Sequence, residues 1–202
     1  YDRKLIQRIL LVGFTPFIII AVDNVMIISM NSVLQTYGGP GEGDMLITCA
    51  TIVQSFMLVI TMPLGGITGG TQTILAFNYG AGQPDRVKKA QRFIFLLSAG
   101  YTTILFILAQ TAGHIFVRLF TSDPALIAEA AKTIKIYTLA VIPLSIQYVI
   151  VDGFTGLGKV QLSLPLSFFR KLVYFLPLFL LPRFFGARAT FYAEPISDII
   201  AP

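Results

Sequence analysis

From Leu46 to Leu64 the chain carries no charged side chain, and from Phe93 to Val117 it has no Asp, Glu, Lys or Arg. A helix needs roughly 20 predominantly apolar residues to cross a bilayer, so both stretches are long enough to span one. Only 12% of the residues are charged, against the roughly 25% usual in a soluble domain. That leaves too little polar surface to cover a globule in water. Lipid is the solvent that tolerates such a surface, and the expected fold class is all-α: a polytopic membrane helical bundle filling residues 1–202.

Further apolar runs divide the chain into spans at about 9–37, 45–77, 93–117, 125–152, 162–182 and 189–202. Gly38-Gly39-Pro40-Gly41 is a strong stop for the first. A polar elbow from Asn78 to Asp85 follows the second, then a basic turn with Arg86, Lys88, Lys89 and Arg92. Thr121-Ser122-Asp123-Pro124 closes the third, Gly153 to Lys159 form the loop after the fourth, and Arg183 to Arg188 the loop before the last. That last run is short of a full crossing, and the first residue is not Met, so the sequence reads as a piece of a longer protein.

The net charge of +5 raises the question of nucleic acid. The basic residues sit in short clusters between apolar runs, however, which is a topology signal and excludes a nucleic-acid partner. With the N-terminus inside, Arg3, Lys4, Arg8, Arg86, Lys88, Lys89, Arg92, Lys159, Arg170 and Lys171 fall on the inner side. Arg118, Lys132, Lys135, Arg183 and Arg188 fall outside, a ten-to-five bias that places the N-terminus in the cytoplasm of a bacterial cell with an inner, plasma membrane.

Ionisable residues within spans are costly and mark functional sites by default. Asp23 lies midway between Arg8 and Gly38, hence near the bilayer midplane. A carboxylate there suits exchange of a proton or Na⁺ for a cationic substrate; the competing reading is a structural Asp bonded through Asn24. Glu194 and Asp198 are four apart and share one helix face, where two acids cannot easily both ionise. Asp198 reads as mid-bilayer, whereas Glu194 reads either as part of that site or as a partner of Arg188 or Arg183. Asp152, at the inner end of the fourth span, fits an interfacial or gating role. Gln147 and Tyr148, one turn outward, are candidate cavity liners, as are Gln54, Gln72 and Asn31; each is otherwise interhelical glue.

Pro63 followed by Gly65, Gly66, Gly69 and Gly70 gives two overlapping small-xxx-small patterns, read as close helix packing or as a hinge. Pro16, Pro143, Pro165 and Pro177 suggest kinks of the kind membrane helices tolerate. The lone His114 reads as structural. A single cysteine, Cys49, excludes a disulfide framework within the chain. No Ser/His/Asp set points to a catalytic residue, no cluster has metal-ligand spacing, and no phosphate-binding glycine loop implies a cofactor.

The stretch Gly70-Thr71-Gln72-Thr73-Ile74-Leu75-Ala76-Phe77-Asn78-Tyr79-Gly80-Ala81-Gly82, followed by Asp85-Arg86-Val87-Lys88-Lys89-Ala90, resembles the MATE (multidrug and toxic compound extrusion) family. There an Asn-Tyr-Gly-Ala elbow and a basic turn join the eighth and ninth helices on the cytoplasmic side. Tyr192-Ala193-Glu194-Pro195-Ile196-Ser197-Asp198 is similar to the start of the twelfth helix, and Gly156-Leu157-Gly158-Lys159 to the loop after the tenth. The resemblance implies the C-terminal lobe, helices seven to twelve, of a twelve-helix antiporter that exports organic cations or drugs in exchange for H⁺ or Na⁺. It further implies an N-terminal lobe as partner and a coupling acid at Asp23, midway along the seventh helix. An acid that some members carry on the tenth helix has no match near 144–147, and Asp152 lies further along.

Other readings make distinct demands. A lipid-linked oligosaccharide flippase of the broader superfamily wants a cationic cleft, such as one lined by Arg170 and Lys171. A membrane-embedded enzyme wants nucleophile or metal clusters that the sequence lacks. A non-transporting scaffold has no use for acids at the midplane.

Overall fold

The computed structural model describes residues 3–202; within its first helix the side chains at positions 4, 5, 8, 9, 11, 12, 15 and 16 lie outside the description. The basic residues Lys4 and Arg8 and the expected kink at Pro16 fall among them. The described residues form eight α-helices and one 3-10 helix. These are α1 (Arg3–Gly38), α2 (Glu42–Gly70), α3 (Gln72–Gly80), α4 (Pro84–Val117), α5 (Pro124–Tyr137), α6 (Val141–Gly156), α7 (Val160–Phe185), the 3-10 turn Ala187–Tyr192 and α8 (Ala193–Ile200).

Four segments are long and apolar enough to cross a membrane: Phe17–Gly38, Glu42–Gly80, Pro84–Val117 and Val160–Phe185. The pair α5 and α6, bent by 50°, makes a fifth. In α8 only eight residues are helical. A belt of exposed Phe, Leu and Ile covers the outside of the bundle, among them Phe93, Ile104, Leu172 and Phe184, as lipid contact requires.

Local sequence sets the breaks. Pro84 opens α4 and Pro124 opens α5, positions where proline's missing N–H costs nothing. The Asp123 carboxylate caps α5 by accepting from the Ala125 amide at 3.0 Å. Gly186 adopts φ 81°, which ends α7 and turns the chain into the 3-10 helix. The bend at 138–140 contains neither Gly nor Pro. There Thr138 Oγ1 donates to the Ile134 carbonyl at 2.8 Å, and Gln110 Nε2 donates to the Lys135 carbonyl at 3.0 Å. The Lys135 carbonyl is one that the interrupted helix leaves over, whereas the Ile134 carbonyl also accepts from the Thr138 amide at 3.0 Å.

Helix α1 packs on α2 and α7, α4 on α5 and α6, and α7 on α6 and α8. The core between them holds Met30, Leu34, Leu46, Ile60, Ile134, Leu144, Tyr174, Leu178 and Phe191. Backbones come closest where α1 turns into α2: a Cβ on Gly38 would meet the Gly43 Cα at 2.7 Å. Gly156 likewise lies against the Gln72 backbone of α3. Gly65, Gly66, Gly69 and Gly70 do not play this part among the described residues, since a Cβ on any of them meets nothing within 4 Å. The helix also runs on past Pro63 as far as Gly70 and breaks only at Thr71.

Candidate functional site

Five charged side chains meet inside the bundle. Arg170, about 15 Å into α7 by the helical rise, donates from Nη1 to Glu194 Oε1 at 3.0 Å and to Asp198 Oδ1 at 2.8 Å. One residue on, Lys171 Nζ donates to Asp23 Oδ1 and to the Ile19 carbonyl of α1, the latter at 2.9 Å. Tyr137 OH of α5 donates to the second oxygen of Glu194 at 3.3 Å. Four helices thus converge on one polar centre. Its members differ in access: 43% of the Asp23 side chain is exposed, against 4% for Lys171 and 1% for Asp198.

Charge counting gives this centre its character. Three carboxylates face two basic groups, so the fully ionised cluster carries one surplus negative charge, enclosed at Asp198 and open at Asp23. Asp198 Oδ2 is buried and has no hydrogen-bond partner among the described residues. Buried acceptors without a partner are uncommon in folded proteins, and they mark a place that a proton or cation can fill.

Two cavities reach the cluster. One, of about 270 Å³, is lined by Asp23, Gln54, Tyr137, Tyr148, Arg170 and Glu194 among others. The second, of about 210 Å³, runs from Asp23, Lys171 and Arg170 past Gln147 and Tyr148 to Asp152. Gln147 donates to the Leu166 carbonyl at 3.3 Å, and its own carbonyl oxygen is buried without a partner among the described residues. Asp152 accepts from Thr68 Oγ1 at 2.5 Å and from Gln72 Nε2 at 3.2 Å, which ties the end of α6 to the α2–α3 break.

The geometry brings Asp23, Glu194, Gln54, Gln147, Tyr148 and Asp152 to the walls of these cavities, while Asp198 lines neither and joins them through its bond to Arg170. Asn24 is left out: it is exposed and donates to the Ile20 carbonyl of its own helix, so it does not hold Asp23. Glu194 pairs with Arg170, not with Arg188 or Arg183, because Arg188 is engaged by Glu42 at 3.2 Å and Glu129 at 3.3 Å. In the elbow, Asn78 and Tyr79 belong to the last turn of α3, and the chain reverses over the next three residues. Asn78 donates to the Ile74 carbonyl, and the Tyr79 ring lies 5.5 Å from Lys159 Nζ. That contact sets the loop after α6 beside the elbow on one face of the membrane. His114 is exposed on α4, and Cys49 is buried in the core.

Arg170 and Lys171 do not lie where the sequence places them. Counted with the inner surface from the sequence, they lie inside the α7 span, so the inner-to-outer bias falls to eight against five. Nor do they line a cationic cleft, because acids hold both. The sequence did carry a signal for them, a basic pair about half-way along an otherwise uncharged apolar run. Tyr137 and Thr68 gave no such signal; they are common residues whose partners are distant in sequence.

The MatE family model matches residues 18–180. The chain belongs to the MatE family. Among curated proteins it resembles an FAD transporter of Shewanella oneidensis, 25% identical over 151 residues that make up 74% of this chain and 33% of that protein. It also resembles the multidrug export protein MepA of Staphylococcus haemolyticus, 21% identical over 98% of this chain and 42% of that one. A solved multidrug resistance MATE family transporter of the MOP superfamily, in an outward-facing conformation, superposes with a TM-score of 0.88. Identity there is 16%, with 99% of this chain and 45% of that one covered, so the likeness is one of fold. The MatE chain thus spans less than half the length of the curated relatives it matches. Both curated relatives are named for transport or export.

Proposed function

We propose that this chain forms the C-terminal lobe of a secondary antiporter that exports organic cations or drugs in exchange for H⁺ or Na⁺. The buried centre of Asp23, Glu194 and Asp198 against Arg170 and Lys171 is its coupling site. The surplus negative charge carries the reading: one proton or one Na⁺ neutralises it, and a cationic substrate competes for the same place. Asp23, the accessible member, meets the substrate; Asp198, enclosed beside Arg170, keeps the exchanged charge. The lobe acts with an N-terminal lobe, since alternating access needs two units rocking about a shared site. The eight-to-five basic bias, with Lys159 stacked on the elbow, favours a cytoplasmic N-terminal end in a bacterial inner membrane. No cofactor beyond the coupling ion is part of the reading.

A second reading has one observation in its favour. Arg170 faces both cavities, and one relative is named as an FAD transporter. Release of Arg170 from its two acids would offer a guanidinium to a phosphate-bearing substrate. An oligosaccharide-lipid flippase asks for the same positive surplus, whereas the cluster has a negative one.

Cells carrying the full-length protein, wild type or Asp23→Asn, distinguish these readings through efflux of ethidium or norfloxacin under separate H⁺ and Na⁺ gradients. Efflux lost in the variant at unchanged expression supports cation antiport through this lobe. Efflux unchanged in the variant refutes the assignment of Asp23, and no efflux by wild type turns the choice to an anionic substrate.

A further inference from the structure

A cavity of about 620 Å³ lies between α3 and the start of α4, lined by Ile74, Arg86, Lys89, Arg92, Phe93 and Leu96 among others. It lies apart from the central charge cluster and shares no lining residue with the cavities there. Arg86, Lys89 and Arg92 are all exposed, and no carboxylate among the described residues lies within 4 Å of any of them. Phe93 and Leu96, directly below, are also exposed, at 68% and 58%.

The length of α4 sets the depth of these groups. Its 34 residues rise about 51 Å, against a hydrocarbon layer of about 30 Å. The part from Phe93 to Val117 already exceeds that layer, so the turns carrying Arg86, Lys89 and Arg92 reach headgroup level. Spacings of three and four put Arg86, Lys89, Phe93 and Leu96 on one face of the helix. That face is cationic at headgroup depth and apolar where acyl chains begin.

We propose that this groove binds an anionic phospholipid, with the phosphodiester held by Arg86, Lys89 and Arg92 and an acyl chain laid along Phe93 and Leu96. Charge complementarity selects this occupant. Three cations without described acid partners attract a lipid of net negative charge, and a zwitterionic one, whose own cation sits beside its phosphate and is repelled, gains less. The arginines add two-pronged hydrogen bonds to phosphate oxygens. Lys88, exposed on the same helix but outside the lining, takes no part.

The test uses the full-length protein in detergent, with native mass spectrometry and the thermal midpoint followed while phosphatidylglycerol or phosphatidylcholine is titrated in. Phosphatidylglycerol is expected to bind saturably and raise the midpoint, and phosphatidylcholine to bind more weakly and raise it less. Arg86→Gln, Lys89→Gln and Arg92→Gln should each weaken phosphatidylglycerol binding roughly fivefold, while Lys88→Gln leaves it unchanged. All four positions are exposed, so the single variants are expected to fold. Equal affinity for the two lipids, as when another part of the protein covers the groove, overturns the proposal. So does an equal loss from Lys88→Gln, which would mean diffuse attraction without a site.

Discussion

Replacing Arg170 with Gln removes the one cation that, among the described residues, is bonded to Glu194 and Asp198. The wild-type cluster has three carboxylates and two bases; Arg170→Gln raises its surplus from one negative charge to two. The site is enclosed, with 14% of the Arg170 side chain and 1% of Asp198 exposed. Removing one partner of a buried pair generally costs about 3–5 kcal/mol, because the remaining charge stays desolvated. Both acids share the same guanidinium, so their losses do not add, and about 3–5 kcal/mol is the expected total. Adding Asp198→Asn returns the surplus to one. The double variant should therefore be no less stable than Arg170→Gln alone, a coupling energy of about 1.5–3 kcal/mol in a double-mutant cycle. Reversible unfolding of the full-length protein in SDS, read by tyrosine fluorescence, supplies all four corners. Additive losses, or an Arg170→Gln variant within about 1 kcal/mol of wild type, would refute the argument that this arginine compensates buried acids.

Other substitutions probe separate parts of the account. Thr68→Val removes one of the two donors on Asp152 and should cost about 1 kcal/mol in the same unfolding assay, as expected for a half-buried acceptor left short. Gly38→Ala would press a methyl onto the Gly43 Cα and should cost about 1–3 kcal/mol or prevent accumulation in the membrane, whereas Gly65→Ala, with open space around it, should be neutral or stabilising by up to about 1 kcal/mol. A transport defect in Gly65→Ala without a loss of stability would reveal a role for that open face in movement. Tyr79→Leu takes away the ring facing Lys159 and should cost no more than about 1 kcal/mol, checked by the same titration.

The sequence conveyed depth along single helices well and partnership between helices poorly. Uncharged runs such as Leu46–Leu64 announce spans because a charge inside lipid is so costly, and Gly-Pro and Asp-Pro breaks mark where they end. The same cost picks out Asp23 and Asp198 without any structure. What decides their state is a cation on another helix: Arg170 lies 24 residues from Glu194 and 28 from Asp198, and Lys171 lies 148 from Asp23. A count of basic residues by loop assigned both cations to the surface, since it takes every Lys or Arg as a topology marker. The glycines after Pro63 show the converse problem. Their spacing permits close packing but does not supply a neighbour, and the close approaches fall instead at Gly38 and Gly156. The bend between α5 and α6 was silent because Thr138 and Gln110 support it through side-chain bonds, not through Gly or Pro.

The central claim, that the buried cluster exchanges one positive charge for the substrate, is tested most directly by ion release. Ethidium added to the purified full-length protein in weakly buffered solution should release about one proton per molecule, or displace about one bound ²²Na⁺. Asp198→Asn should abolish that release while the protein stays folded. Release that persists in Asp198→Asn, or ethidium binding to wild type with no ion leaving, would contradict the account.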